Sequence, residues 1–168
     1  DLAEQALRLT PPEDAADARR RLLLAADRHD LAGDTARAIT LLERARDESS
    51  AGVERAEALV HLADVQDDPR ATVPLYRQAL AEAEADDALT ATIHNRLAIS
   101  MAWTEGAERG LAHAEQAVRA ASRTDDAEIE CRALAALGDW HFRAGRGIQD
   151  AQMAQAMNLQ VTANRRPR

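Results

Sequence analysis

The 168-residue chain has no lysine, one cysteine and four aromatic residues, Tyr76, Trp103, Trp140 and Phe142. Each scarcity excludes something. One cysteine, Cys131, rules out an internal disulfide and any metal site built from several cysteines. Few aromatic and β-branched side chains make strands a poor expectation, because those side chains pack best on a pleated surface. No apolar run approaches the roughly 20 residues that span a bilayer, and no signal-peptide pattern appears at the start. The missing lysine leaves all 21 basic residues as arginine, which on this scale reflects a GC-rich genome. Against 29 acids they give a net charge of −8. Nucleic-acid binding needs a positive field that displaces counterions. The segment is therefore expected to make no direct nucleic-acid contact, no membrane contact, and to reside in the cytoplasm. Its first residue is Asp1 rather than Met, which reads as a piece of a longer protein.

What the chain has in abundance is alanine, 39 residues of it. Alanine combines the highest helix propensity with the smallest side chain of the helix formers. The expectation is an all-α fold with helices in close contact. Four stretches repeat one design: Leu22–Asp47, Leu59–Ala83, Asn95–Ala121 and Ala135–Met157. Each has an apolar-small pair, a turn and a second amphipathic run. The small residues Ala26, Ala63, Ala98 and Gly138 recur at helix-turn-helix repeat spacing. From Ala26 the same steps lead to Ala38 and Ala45, from Ala98 to Gly110 and Ala117, and from Gly138 to Asp150 and Met157. Small residues at those places let paired helices cross closely. Asp150 and Met157 break the rule, so the last repeat is expected to be loosened or to act as a cap.

The opening "AEQALRLTPPED" then reads as the end of an earlier repeat. Ala6, Leu7, Leu9 and Pro11 fit the A-L-x-L-x-P ending of a tetratricopeptide repeat, and Glu13 and Asp14 put negative charge at the next helix start. Helices are predicted over 2–9, 13–31, 34–48, 52–67, 69–85, 87–104, 107–122, 125–144 and 147–161. Asp68 should cap the helix that begins at Pro69. Pro74 inside it should force a bend or a late start. Gly33, Gly106 and Gly145 should sit in turns. The pattern describes a tetratricopeptide-like helical-hairpin solenoid of about four and a half repeats. It forms one domain over 1–164 with a tail at 165–168.

No catalytic constellation is visible. "AGRGIQD", Ala144 to Asp150, lacks the GK[ST] of a phosphate loop, and no H-E-x-x-H occurs. His61 and Asp64 lie one turn apart but would need further ligands to hold a metal; a surface histidine beside an acid is the plainer reading. Nothing activates Cys131. No enzyme activity, cofactor or metal is expected.

A solenoid does offer a concave face lined by the first helix of each repeat. Its candidate binding residues are Arg20 and Asp27, then Glu57 and Asp64. They continue with Asn95 and Trp103, and then Arg132, Asp139 and Phe142. Leu23, Val60, Thr92, Ile99 and Ala135 fall on the same face. Asp27, Asp64 and Asp139 occupy equivalent places, so the groove is expected to be mildly acidic, with Trp103 and Phe142 as apolar anchors. It would suit a cationic or neutral peptide, or a polar ligand that stacks on a ring. The plainer alternative is that each Asp caps or pairs with a nearby Arg, and that Trp140 and Phe142 are core. The clamp by which some tetratricopeptide domains hold a partner's C-terminal carboxylate is missing, because Leu23, Asp27 and Asp64 stand at its positions.

The stretch "ALRLTPPEDAADARRRLLLAADRHDLAGDTARAITLLERA", Ala6 to Ala45, resembles the start of the helical-repeat region in large ATP-binding, MalT-like regulators of the LuxR family. That resemblance implies a non-catalytic segment between a nucleotide-binding module and a DNA-binding helix-turn-helix, both absent from this chain. Its partner would be a protein, a peptide or a small-molecule inducer, and a homodimer is possible. The alternative is a structural spacer or self-association scaffold without a ligand.

Overall fold

The computed structural model describes residues 2–11 and 14–165. These form nine α-helices and no strand: α1 Leu2–Arg8, α2 Ala15–Leu31, α3 Thr35–Glu48, α4 Val53–Asp64, α5 Pro69–Glu82, α6 Asp87–Glu105, α7 Ala107–Ala121, α8 Ala127–Arg143 and α9 Asp150–Arg165. The chain divides into two compact units, Asp1–Glu82 with α1 to α5 and Ala83–Arg168 with α6 to α9.

In the first unit α2 pairs with α3 and α4 with α5, while α1 packs on α2 and α3 on α4. Ala26, Ala38, Ala45 and Ala63 are fully buried, as is Leu42. Alanine at these crossings is what allows helix axes to approach within about 8–10 Å. Aspartates cap the starts of α2 and α3, while Gly52 precedes α4. The Asp17 N–H donates to the Asp14 carboxylate at 3.0 Å and the Arg37 N–H to Asp34 at 3.2 Å. Glu13, read as part of the first of these helix starts, lies outside the described residues.

Asp68 accepts from the Arg70 N–H at 2.9 Å, and α5 runs from Pro69 straight through Pro74. The late start expected there does not occur. Pro74 and Arg70 are both exposed, so water can reach the carbonyl that loses its donor. Helix α4 ends at Asp64, three residues before its predicted end. The run Asp67-Asp68-Pro69 forces the chain out of helical geometry ahead of the proline.

In the second unit α6 pairs with α7 and α8 with α9. Helix α7 packs on α8, and α6 also touches α8. Gly106 ends α6 and starts α7 in one residue, at φ +99°, a conformation that glycine adopts without strain. Gly110 is a point of close approach between α7 and its neighbours. A Cβ built there would lie 2.8 Å from the Ala98 carbonyl oxygen and 2.9 Å from Trp140 Cζ3. Around it Ala98, Leu111, Ala114, Leu137 and Trp140 form one core cluster.

The last hairpin departs from the predicted register. Gly145 and Gly147 both have positive φ, and they hold a turn that delays α9 to Asp150. Met157 is 66% exposed, and the neighbouring Ala156 takes the buried place instead. Arg165, read as tail, is the last residue of α9, and 166–168 lie outside the described residues.

Candidate functional site

The first-unit candidates lie on α2 and α4, and each has a partner. Arg20 pairs with Asp17 of its own helix, and Arg19 holds Glu57. Asp27 faces His61 Nδ1 at 3.3 Å, so an acid beside that histidine comes from α2. Asp64 accepts a hydrogen bond from the Tyr76 hydroxyl at 2.5 Å. Val60, expected to face the groove, is buried. A hollow of about 780 Å³ lies against α1, α2 and α3, and its lining includes the Arg37–Glu4 and Arg44–Glu48 pairs. There the Arg37 guanidinium holds the Glu4 carboxyl down at about 2.

The second unit is different. Five residues of α6, Thr92, Asn95, Arg96, Ile99 and Trp103, form one stripe at helical spacing. Facing them are Arg132, Ala136, Asp139, Trp140 and Arg143 of α8, again along one face. Between the stripes lies a pocket of about 510 Å³. That is within the range of pockets that hold small ligands or side chains, about 300–1,000 Å³. Trp103 is 79% exposed at its rim. Trp140 is 8% exposed, with part of its ring in the core and part in the pocket wall. The Arg143 guanidinium carbon lies 5.4 Å from the Trp140 ring centroid, close enough for a cation–π contact.

The structure thus brings Asn95, Trp103, Arg132 and Asp139 together. It leaves out Phe142, which is 65% exposed and is not in the pocket lining. On α8 Phe142 projects well to one side of the stripe that starts at Arg132. The expected acidity is also reversed here, since the pocket lining carries three arginines and one aspartate. The acidic reading came from averaging Asp139 with Asp27 and Asp64, which lie in the other unit. Arg96, Trp140 and Arg143 were missed. The i, i+4, i+8 run Arg132, Ala136, Trp140 was the signal that could have found the tryptophan.

Two side chains in the lining are only loosely committed. Arg132 bonds Glu128 at 2.8 Å and Arg143 bonds Asp139 at 2.6 Å, both one turn apart on exposed helix surface. Such pairs are worth about 0.3–0.5 kcal/mol. The Asn95 Oδ1 is buried and has no hydrogen-bond partner among the described residues. On the seam between α6 and α7, His94 and His113 meet with Nδ1 atoms 3.0 Å apart. The hydrogen bond needs one Nδ1–H and one lone pair. Burial, then the charges of His113 and Arg119, push His94 down to about 4. Among the described residues no group of three or more His, Cys, Asp or Glu could hold a metal ion. None of their helices is long and apolar enough to cross a membrane.

No family model matches the chain, and no curated protein matches it. Solved structures do. The crystal structure of BtubC (BKLC) from P. vanneervenii aligns with a TM-score of 0.76 at 19% identity, covering 99% of this chain and 75% of that one. The crystal structure of MamA aligns with a TM-score of 0.64 at 15% identity, covering 98% of this chain and 88% of that one. At such identities the likeness speaks for the fold, and the fold is a tetratricopeptide-like helical-hairpin solenoid of about four and a half repeats.

Proposed function

We propose that this chain is a non-catalytic binding domain whose receiving surface is the α6–α8 groove. It would be the repeat segment of a LuxR-type regulator, passing the state of that groove to ATPase and DNA-binding modules outside the chain. The observation that carries the binding role is Trp103, a large apolar ring left 79% exposed beside a formed pocket. Soluble folds rarely leave a ring uncovered beside a concavity without a use for it. Tetratricopeptide-like folds commonly serve protein–protein interaction, which supports a protein or peptide partner. The regulator context is supported by the resemblance of Ala6–Ala45 to that family's repeats.

Thermal unfolding against a library of peptides and small metabolites tests the binding role. A ligand at 100 times its dissociation constant adds about 2.7 kcal/mol. A saturable shift lost in Trp103→Ala is the expected result, and a shift retained in that variant would move the site elsewhere. The regulator context is tested by reading the surrounding gene. A P-loop module upstream and a LuxR-type helix-turn-helix downstream are expected in the same reading frame, and their absence would remove it.

A further inference from the structure

We infer that the partner of the α6–α8 groove is an acidic peptide segment that carries an aromatic or large aliphatic side chain among its carboxylates. This rests on the groove being the binding surface and adds the chemistry of what fills it. The first observation is charge. Three guanidiniums against one carboxylate line a groove in a chain whose net charge is −8. Even with Glu128, which pairs with Arg132 at its edge, the lining's excess is positive where the chain's is negative. A basic segment would bring cations against Arg96, Arg132 and Arg143, whereas an acidic one meets complementary charge.

The second observation is how those arginines are held. Arg132 and Arg143 are tied to Glu128 and Asp139 by single pairs on exposed surface, with arginine side chains 64% and 58% exposed. A guanidinium has five N–H donors, so an incoming carboxylate can be added or exchanged at little cost. Arg143 also lies over the Trp140 ring, which restricts the plane of its fork and favours two-point contact with a carboxylate.

The third observation is the apolar wall. Trp103 and Ile99, 79% and 49% exposed, leave a surface that charge alone would not fill. An aromatic or branched side chain between the carboxylates would cover it, and buried tryptophans and arginines are the residue types that dominate binding energy at interfaces. The buried Asn95 Oδ1 lacks a donor within the described fold. Rotation of that amide would offer it to a main-chain N–H of the peptide. From Thr92 to Trp103 the α6 stripe spans about 17 Å at 1.5 Å per residue, room for roughly five residues of extended chain.

Selection of displayed random peptides on the whole chain tests this without a known partner. The expected outcome is enrichment of peptides that are net acidic and contain an aromatic or large aliphatic residue. Their affinity should fall about tenfold or more in Trp103→Ala and weaken as salt rises. The doubly reversed variant Arg96→Glu with Arg132→Glu should select basic peptides instead, and its retained helical circular dichroism would show that it folds. Neutral or basic peptides that still need Trp103 would overturn the acidic partner and leave the groove standing. Peptides indifferent to Trp103, or no enrichment at all, would overturn the groove and this inference with it. Concentration-dependent self-association abolished by Trp103→Ala would give the groove to a second copy of the chain, and would likewise overturn it.

Discussion

On α2 and α4 the four candidate side chains Arg20, Asp27, Glu57 and Asp64 are each engaged within their own unit. On α6 and α8 the matching face keeps a bare tryptophan, a buried amide oxygen with no partner among the described residues, and Arg132 and Arg143 held by weak one-turn pairs. Both faces come from one repeat design. Ala26, Ala38 and Ala45 of the α2–α3 hairpin answer to Ala98, Gly110 and Ala117 of the α6–α7 hairpin, all buried, so the template of these two hairpins does not explain the difference. It lies in the positions the hairpin does not use. In the first unit three of them, Asp27, Glu57 and Asp64, tie one helix to another. In the second they are left available, which is what a binding surface requires and what stability alone would not retain.

The comparison breaks most visibly if the cores differ as the faces do. Leu42 in the first unit and Leu111 in the second are 0% and 1% exposed. Either leucine replaced by alanine should cost about 2–5 kcal/mol, the range for buried leucines that leave a cavity. Urea midpoints would show it. A much smaller loss at Leu111 would mean that the second unit is loosely packed throughout, and that its open groove is a symptom of poor packing.

Gly110→Val is the next largest effect. Its Cβ would meet the Ala98 carbonyl oxygen and the Trp140 ring inside 3.0 Å. Overpacking of this kind costs about 1–3 kcal/mol. Because Trp140 also lines the pocket, the variant should change tryptophan emission and weaken groove binding as well as stability. Ala38, twelve residues after Ala26 as Gly110 is after Ala98, has no such ring over it in its core cluster.

Acid should separate the units by pH. His94 has an ordinary value of 6.5 and is pushed down to about 4 by burial and by His113 and Arg119. The unfolded chain therefore takes up that proton first as pH falls. The stability from a neutral His94 is complete above 6.5 and is lost as pH drops toward about 4. After discounting for the part of the ring that water reaches, the loss is on the order of 1–2 kcal/mol. In the first unit Arg37 holds Glu4 down from 4.5 to about 2, so its contribution persists above 4.5 and fades only below it. Amide exchange followed against pH should show α6 and α7 loosening before α1 does. His94→Gln should flatten the upper part of that response; an unchanged slope would show that another group carries it.

Most of the helical plan was legible, because alanine spacing and aspartate caps act within a few residues. Ala26, Ala38 and Ala45 had to be buried for the hairpin to close, and they are. The failures lie where tertiary context decides. Phe142 and Trp140 are two residues apart in sequence; helical spacing from Arg132 favours Trp140, but only the packing of α8 against α6 makes that stripe the pocket wall. Arg96 and Arg143 carry no mark in the sequence, and it is α6 and α8 that place them on one pocket with Arg132. The pairing of His94 with His113 joins residues 19 apart on α6 and α7, beyond the reach of any periodicity. The turn through Gly145 and Gly147 shifted α9 enough to exchange Met157 for Ala156.

The smallest expected effect sharpens the comparison best. Tyr76→Phe removes the hydrogen bond to Asp64, on the face where side chains are committed. It should cost about 0.5–1.5 kcal/mol, as a single hydrogen bond does. Trp103→Ala removes a far larger side chain, yet at 79% exposure it takes almost nothing out of the fold. Its stability should stay within about 0.5 kcal/mol of the parent, as for surface positions generally. A hydroxyl in one unit would then outweigh a whole indole in the other. If Trp103→Ala instead costs more than Tyr76→Phe, the ring is packed against something the pocket geometry does not include, and its availability to a partner falls with it.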